Sequence, residues 1–190
     1  ICADEFHVIK NLNDYFDNVR KRCRRNCDSD LYIYLLTKFE CVLSVDADLD
    51  NIGKYNRKLG RYINYRGIRE LIFEAFPDIR IAYELKEDYI LFNRTATLNN
   101  AEIELEKLIE AFKNCSIKEY KAFSSLLINW KKEIVNSFIV IEGKRINNSF
   151  IESRNRQIGS LIYNANGLSN FKRTRNRIMY CINKNDTYSI

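Results

Sequence analysis

Six glycines and a single proline, Pro77, leave this chain of 190 residues few places to reverse direction tightly. Sandwiches and barrels need a turn signal about every ten residues, and such turns draw on glycine and proline. Long helices are the reading that remains. The length suffices for one sizeable domain, or one domain with an appendage. Apolar residues make up 46% of the chain and charged residues 29%, the balance of a soluble globular protein whose helices each bury one face.

Apolar spacing places the helices. Phe6, Ile9, Leu12, Phe16 and Val19 recur at helical intervals in a segment from Glu5 to about Asp28. Its basic end, Arg20 to Arg25, suits a last helical turn. A second helix is expected over Leu31 to Leu43, and Asp46-Ala47-Asp48 reads as the cap of a third running through Tyr62. Asn64 or Tyr65 to Phe76 forms the next, closed by Pro77, and Asp78 to Phe92 follows. Leu98 to Glu102 resembles a capping box ahead of an amphipathic run to Asn114. One long helix, with Trp130 near its middle, is expected from Ile117 to Phe138. A brief extended piece and turn, Ile139 to Lys144, leads to helices over about Asn148 to Tyr163 and Leu168 to Asn183.

The net charge of +6 and pI near 8.9 favour a polyanionic partner, with nucleic acid first among them. Cys2, Cys23, Cys27, Cys41, Cys115 and Cys181 form no metal or disulfide framework. Cys23 and Cys27 share a helix face, but no second pair completes a zinc site and the only histidine, His7, is far upstream. Reduced, core-filling thiols are therefore expected. No basic leader precedes an apolar run, and no span approaches the roughly 18 apolar residues of a membrane helix, so a cytoplasmic protein without membrane contact is expected. The chain opens at Ile1 inside an apolar, strand-like Ile-Cys-Ala run, which reads as a boundary within a larger protein.

The segment Asn147 to Ile158 carries the sharpest chemistry. Ile151, Ile158, Leu161, Ile162 and Ala165 form an inward stripe; Glu152, Asn155, Arg156, Gly159 and Tyr163 follow one another at three- and four-residue steps beside it. An acid on that flank can face a metal ion across a groove, with Asn155 bracing it from the next turn. It can equally be the i,i+4 ion partner of Arg156, and spacing alone favours the ion pair.

These residues resemble the C-terminal segment of bacterial insertion-sequence transposases of the ISL-three type, members of the DDE class. The matching positions are Asn148, Ser149, Ile151, Glu152, Ser153, Asn155 and Ile158, then Ala165, Gly167, Asn170 and Phe171, then Arg175, Arg177 and Ile178. The opening Ala3-Asp4-Glu5-Phe6-His7-Val8-Ile9-Lys10 is similar to the family's strand-to-helix junction, with Arg20 at the end of the helix that follows. Gly159 and Tyr163 depart from the pattern, where lysine and arginine are usual, as in a decayed element copy.

The resemblance implies a mainly α chain: a short N-terminal strand and helix of a ribonuclease-H-like core (residues 1–28), a helical insertion (29–140), and C-terminal core helices carrying the last acid (141–190). It implies Glu152 as catalytic acid and ligand of Mg2+ or Mn2+, one of three. DNA would be held by Arg154, Asn155, Arg156, Lys172, Arg173, Arg175 and Arg177. Asp4 and His7 match a family signature, although Asp4 serves equally well as a helix N-cap. The implied parent protein cuts and joins DNA at insertion-sequence ends and self-associates in a transpososome. This chain alone would be inactive, because the first two acids lie upstream of it. Two non-enzymatic readings stay open: a helical DNA-binding or protein-interaction module, and a regulator derived from a truncated transposase. The Arg57-Lys58-Arg61 and Arg66-Arg69 groups of the insertion are expected to be solvated surface.

Overall fold

The structure, a computed structural model, describes residues 2–44, 52–141, 143–145, 149–164 and 170–182. Contacts divide the chain into two units, Ile1–Ile146 and Asn147–Ile190.

In the first unit, helix α1 (Glu5–Arg25) starts where the sequence offers a cap. The Phe6 amide donates to Asp4 Oδ1 at 2.9 Å, satisfying one of the helix's orphan N–H groups. Val8, Leu12, Phe16, Val19 and Cys23 fall on one face and are buried. Burial pushes the Cys23 thiol up, as befits a core-filling cysteine. That face packs on α5 (Pro77–Thr95) and α7 (Lys118–Asn129), and on α2 (Asp30–Lys38). The expected N-terminal strand is not formed among the described residues. A strand needs a ladder partner; the Ala3 amide instead makes a single bond to the Glu133 carbonyl, at 2.8 Å.

The expected Leu31–Leu43 helix is interrupted. It ends at Lys38, turns through Phe39 and Glu40, and resumes as the single turn α3 (Cys41–Ser44); Leu35, Leu36, Val42 and Leu43 are all buried. Arg20, itself buried, donates to the Leu36 carbonyl at 2.6 Å, a cation on the exit of α2.

The largest departure from expectation follows. Lys54 to Tyr62 is not helical: β1 (Lys54–Asn56) and β2 (Arg61–Ile63) pair antiparallel, with Tyr55 opposite Tyr62 and Asn56 opposite Arg61. Asn56 Oδ1 accepts from the amides of Lys58 (3.0 Å) and Leu59 (3.2 Å), and Gly60 closes the turn at φ 63°. A side chain that supplies turn hydrogen bonds locally, followed by a residue that reaches positive φ freely, outweighs a modest helix preference. The cap expected at Asp46-Ala47-Asp48 lies outside the described residues.

Asn64 then caps α4 (Tyr65–Ala75), its Oδ1 accepting from the Gly67 amide at 2.8 Å. A Cβ at Gly67 would lie 2.8 Å from Ile63 Cγ1, so any larger residue there would have to displace the Ile63 side chain. Pro77 occupies the first position of α5, where its missing N–H costs nothing. Ahead of α6 (Ala101–Asn114) there is no capping box. Asn100 turns backwards, its Oδ1 accepting from the Thr97 amide at 2.7 Å. The expected long helix over Ile117 to Phe138 is two, α7 and α8 (Lys131–Asn136), parted at a half-exposed Trp130. The break turns α8 back against α6, where Lys131 bridges Glu102 (2.9 Å) and Glu106 (2.5 Å).

As expected, a short extended hairpin follows: β3 (Val140–Ile141) and β4 (Lys144–Arg145), turning at Gly143 with φ 76°. Arg145 fastens it, stacking 3.9 Å from the Phe138 ring centroid and donating to the carbonyls of Asn93 (2.7 Å) and Ser137 (3.2 Å). At the centre of the unit, Phe112, Tyr120 and Phe123 meet edge to face, and Tyr120 donates its hydroxyl to the Ala82 carbonyl at 2.7 Å.

The second unit pairs α9 (Ser149–Asn164) with α10 (Phe171–Ile182). Ile158 and Leu161 of α9, and Thr174, Ile178 and Cys181 of α10, are half-buried at helical spacing. Ile162, expected in the inward stripe, is 47% exposed, because a pair of helices covers only a narrow strip of each partner. Ile151 and Ala165, also expected there, lie outside the described side chains. The mainly α expectation holds, and strands among the described residues occur only as the two hairpins. Among those residues no helix is long and apolar enough to cross a membrane.

Candidate functional site

Glu152 stands in the first turn of α9, where the helix dipole favours a carboxylate. Asn155 and Arg156 follow at i+3 and i+4, on the same flank. Among the described residues no salt bridge joins Glu152 to Arg156, the pairing that spacing alone favoured. The neighbouring Arg154 donates to Gln157 Oε1 at 3.2 Å. One turn further along, a Cβ at Gly159 would meet nothing within 4 Å, and Tyr163 is 84% exposed. Both positions are thus exposed on α9, with room for longer side chains.

Helix α10 has its own N-terminal anchor, Asn170, whose Oδ1 accepts from the Arg173 amide at 3.2 Å. Its twelve residues contain no acid and four exposed cations: Lys172, Arg173, Arg175 and Arg177. None of the four has a salt bridge among the described residues. Unneutralised like charges at helical spacing repel, and a polyanion relieves that repulsion. Phe171 and Tyr180, large and exposed, lie on the same helix.

At the start of the chain, Asp4 commits a carboxylate oxygen to its capping bond, and His7 lies exposed in the first turn of α1 with its ring edge-on to Phe6. The basic run Arg20 to Arg25 is partly consumed inside the fold. Arg20 pairs with Asp17 and Glu40; Arg22 pairs with Asp78 and Glu119, both at 2.9 Å. Arg69 does not stand free in solvent either: it donates to the Tyr83 hydroxyl at 3.0 Å and lies over the rings of Phe73 and Tyr83. Arg57, Lys58 and Arg61 sit on and beside the β1–β2 hairpin rather than on a helix, a placement that helical reading of the segment missed. The signal was present in Asn56, in Gly60, and in the tyrosine set between Lys54 and Asn56 on the first strand.

Comparison with known families matches residues 1–178 to an ISL-three-type DDE transposase family described as a transposase. No curated protein and no solved structure matches the chain. With a match over nearly its whole length, the chain belongs to the DDE transposase family of the ISL-three type.

Proposed function

We propose that this chain supplies the last acid and much of the DNA-holding surface of a transposase that cuts and joins DNA at insertion-sequence ends. The family match over residues 1–178 carries the reading. On it, residues 1–28 and 141–190 belong to a ribonuclease-H-like catalytic core, with 29–140 as a helical insertion between them.

Glu152 is the third acid of that core. A carboxylate oxygen is a hard ligand suited to Mg2+ or Mn2+, and without a bond to Arg156 this one is free to take that role. Bound divalent ions would supply activation of a water or 3′-hydroxyl and stabilisation of the leaving oxygen. The chain's own residues do the holding. Arg154 and Arg156, with Lys172, Arg173, Arg175 and Arg177, neutralise backbone phosphates, and the Asn155 amide donates to a phosphate oxygen or braces Glu152. Self-association in a transpososome is part of the same proposal. The DDE class uses three acids, of which this reading assigns one within the 190 residues, so these residues alone should bind DNA and leave it intact.

The test uses a protein that carries this chain together with its upstream sequence. Glu152→Gln should reduce Mg2+-dependent cleavage of end DNA by more than the roughly hundredfold cost of removing an outer-shell partner of a metal, while DNA binding stays within about twofold. Undiminished cleavage by the variant, or metal-dependent nicking by the pure 190-residue chain, would sink the assignment. The non-catalytic reading predicts no cleavage from the longer protein either, with α10 still binding DNA.

A further inference from the structure

The β1–β2 hairpin stands over α2 and the start of α4 and leaves a cleft of about 440 Å³ between them. Among the described residues its lining includes Lys38, Lys54, Arg57 and Lys58 and not one acid. Lys58 Nζ lies 4.7 Å from the centroid of the Tyr34 ring, and Lys38 Nζ lies 5.6 Å from that same ring. Lys54 Nζ lies 5.9 Å from the Tyr65 ring. Among the described residues none of these four cations has a salt bridge. Elsewhere in the unit several cations are matched to acids, among them Arg20, Lys21, Arg22, Arg80, Lys107 and Lys131, while others, such as Lys10, Arg24, Arg66 and Lys118, have no salt bridge among the described residues. Two ammonium groups gathered over one ring, met by no acid among the described residues, form a site for an anion supplied from outside.

The aromatic side of the hairpin narrows the choice. Tyr55, which also lines the cleft, and its cross-strand partner Tyr62 are 56% and 76% exposed, their rings 5.4 Å apart. Two large uncovered rings beside a basic cleft match a ligand with regular anionic groups and accessible flat faces. Unpaired nucleotides have both. Duplex DNA keeps its π-faces inside the stack, and an acidic peptide brings charge without the faces.

We propose that the β1–β2 hairpin and α2 form a binding cleft for a single-stranded stretch of DNA, with Lys38, Lys54, Arg57 and Lys58 on its phosphates and Tyr55 and Tyr62 stacking its bases. The inference takes its DNA partner from the proposed function and makes no use of Glu152. The two therefore fail separately: the cleft in strand binding by the 190-residue chain, the acid in cleavage by the longer protein.

The test is fluorescence anisotropy of a labelled single-stranded oligodeoxynucleotide, and of its duplex, titrated with the whole chain over a range of salt. The triple variant Lys38→Gln, Lys54→Gln, Lys58→Gln should bind the single strand about tenfold more weakly, with a log–log salt slope shallower by about 2. Tyr55→Leu with Tyr62→Leu should weaken single-strand binding about tenfold and leave duplex binding unchanged, and the corresponding double Tyr→Phe variant should bind like the parent. Lys107→Gln with Lys113→Gln, on the distant α6, controls for lost charge alone. Parent-like binding by the lysine variant overturns the proposal. So does an equal loss on single strand and duplex in the tyrosine variant, or competition by polyglutamate as effective as by an oligonucleotide of equal charge. Should the leucine pair unfold the hairpin, photo-cross-linking of a 5-iodouracil oligonucleotide to the parent chain decides: a cross-link at Tyr55 or Tyr62 supports the cleft, and one confined to other residues refutes it.

Discussion

Tyr120 illustrates how much a single atom carries in this core. Its ring is fully buried among Phe112 and Phe123, and its hydroxyl reaches the Ala82 carbonyl on α5. Tyr120→Phe keeps the ring and deletes the bond, so a loss of about 1 kcal/mol is expected, read as a fall in Tm of a few degrees. An unchanged Tm would mean that the hydroxyl bond is not formed in solution. Lys86 is the opposite kind of residue, a charge at zero exposure. It persists because it is satisfied: its ammonium donates to the Leu43 carbonyl at 3.3 Å, pairs with Glu87 at 2.6 Å and lies 4.7 Å from the Tyr83 ring centroid. Sequence reading singled out Glu152 as a candidate acid, while spacing alone favoured its pairing with Arg156, a salt bridge not formed among the described residues. The choice between rotamers that reach and rotamers that do not is invisible in spacing.

Among the elements, those with a strong local signal were legible. The Asp4 and Asn64 caps, the single proline before α5, and the apolar stripes of α1 and α4 all state their own boundaries. The failures were continuations: α2 into α3, α7 into α8, and a helix carried across the β1–β2 hairpin. The first two breaks have no glycine or proline to announce them. The second break places Lys131 at the start of α8, where it meets both Glu102 and Glu106. The hairpin rests instead on one residue's backbone. Gly60 sits at positive φ with open space around its Cβ direction, so Gly60→Val adds strain without a clash. A local destabilisation of about 1–2 kcal/mol is expected, seen as faster hydrogen exchange at the amides of β1 and β2, whereas Gly60→Asn should be tolerated. Equal exchange in the valine variant would show that the turn does not hold this geometry.

For the molecule as a whole, two buried phenols set an upper pH limit. Burial pushes both Tyr89 and Tyr120 well above the ordinary tyrosine value near 10. Below pH 10 both are neutral in the folded and unfolded states, so their contribution is fully present. As pH rises beyond 10, the unfolded chain releases protons that the folded chain keeps, and stability falls until the folded phenols ionise. Each phenol should contribute a slope of about 1.4 kcal/mol per pH unit in that window. Denaturation midpoints at pH 9 and pH 11 measure it, and Tyr120→Phe should halve the decline; a flat profile would contradict the burial of both hydroxyls.

By itself the sequence determined the helical class, through the scarcity of glycine and proline. It also determined the family, because side-chain identities around Glu152 and at the Asp4–His7 junction are written directly in the chain. Only the tertiary structure decided where helices stop and which charges are already spent. Both depend on partners remote in sequence: Arg22 meets Asp78 and Glu119, Arg145 meets Asn93, and the cations of the β1–β2 hairpin meet no acid among the described residues. Periodicity reports which face a residue occupies; it does not report what stands opposite.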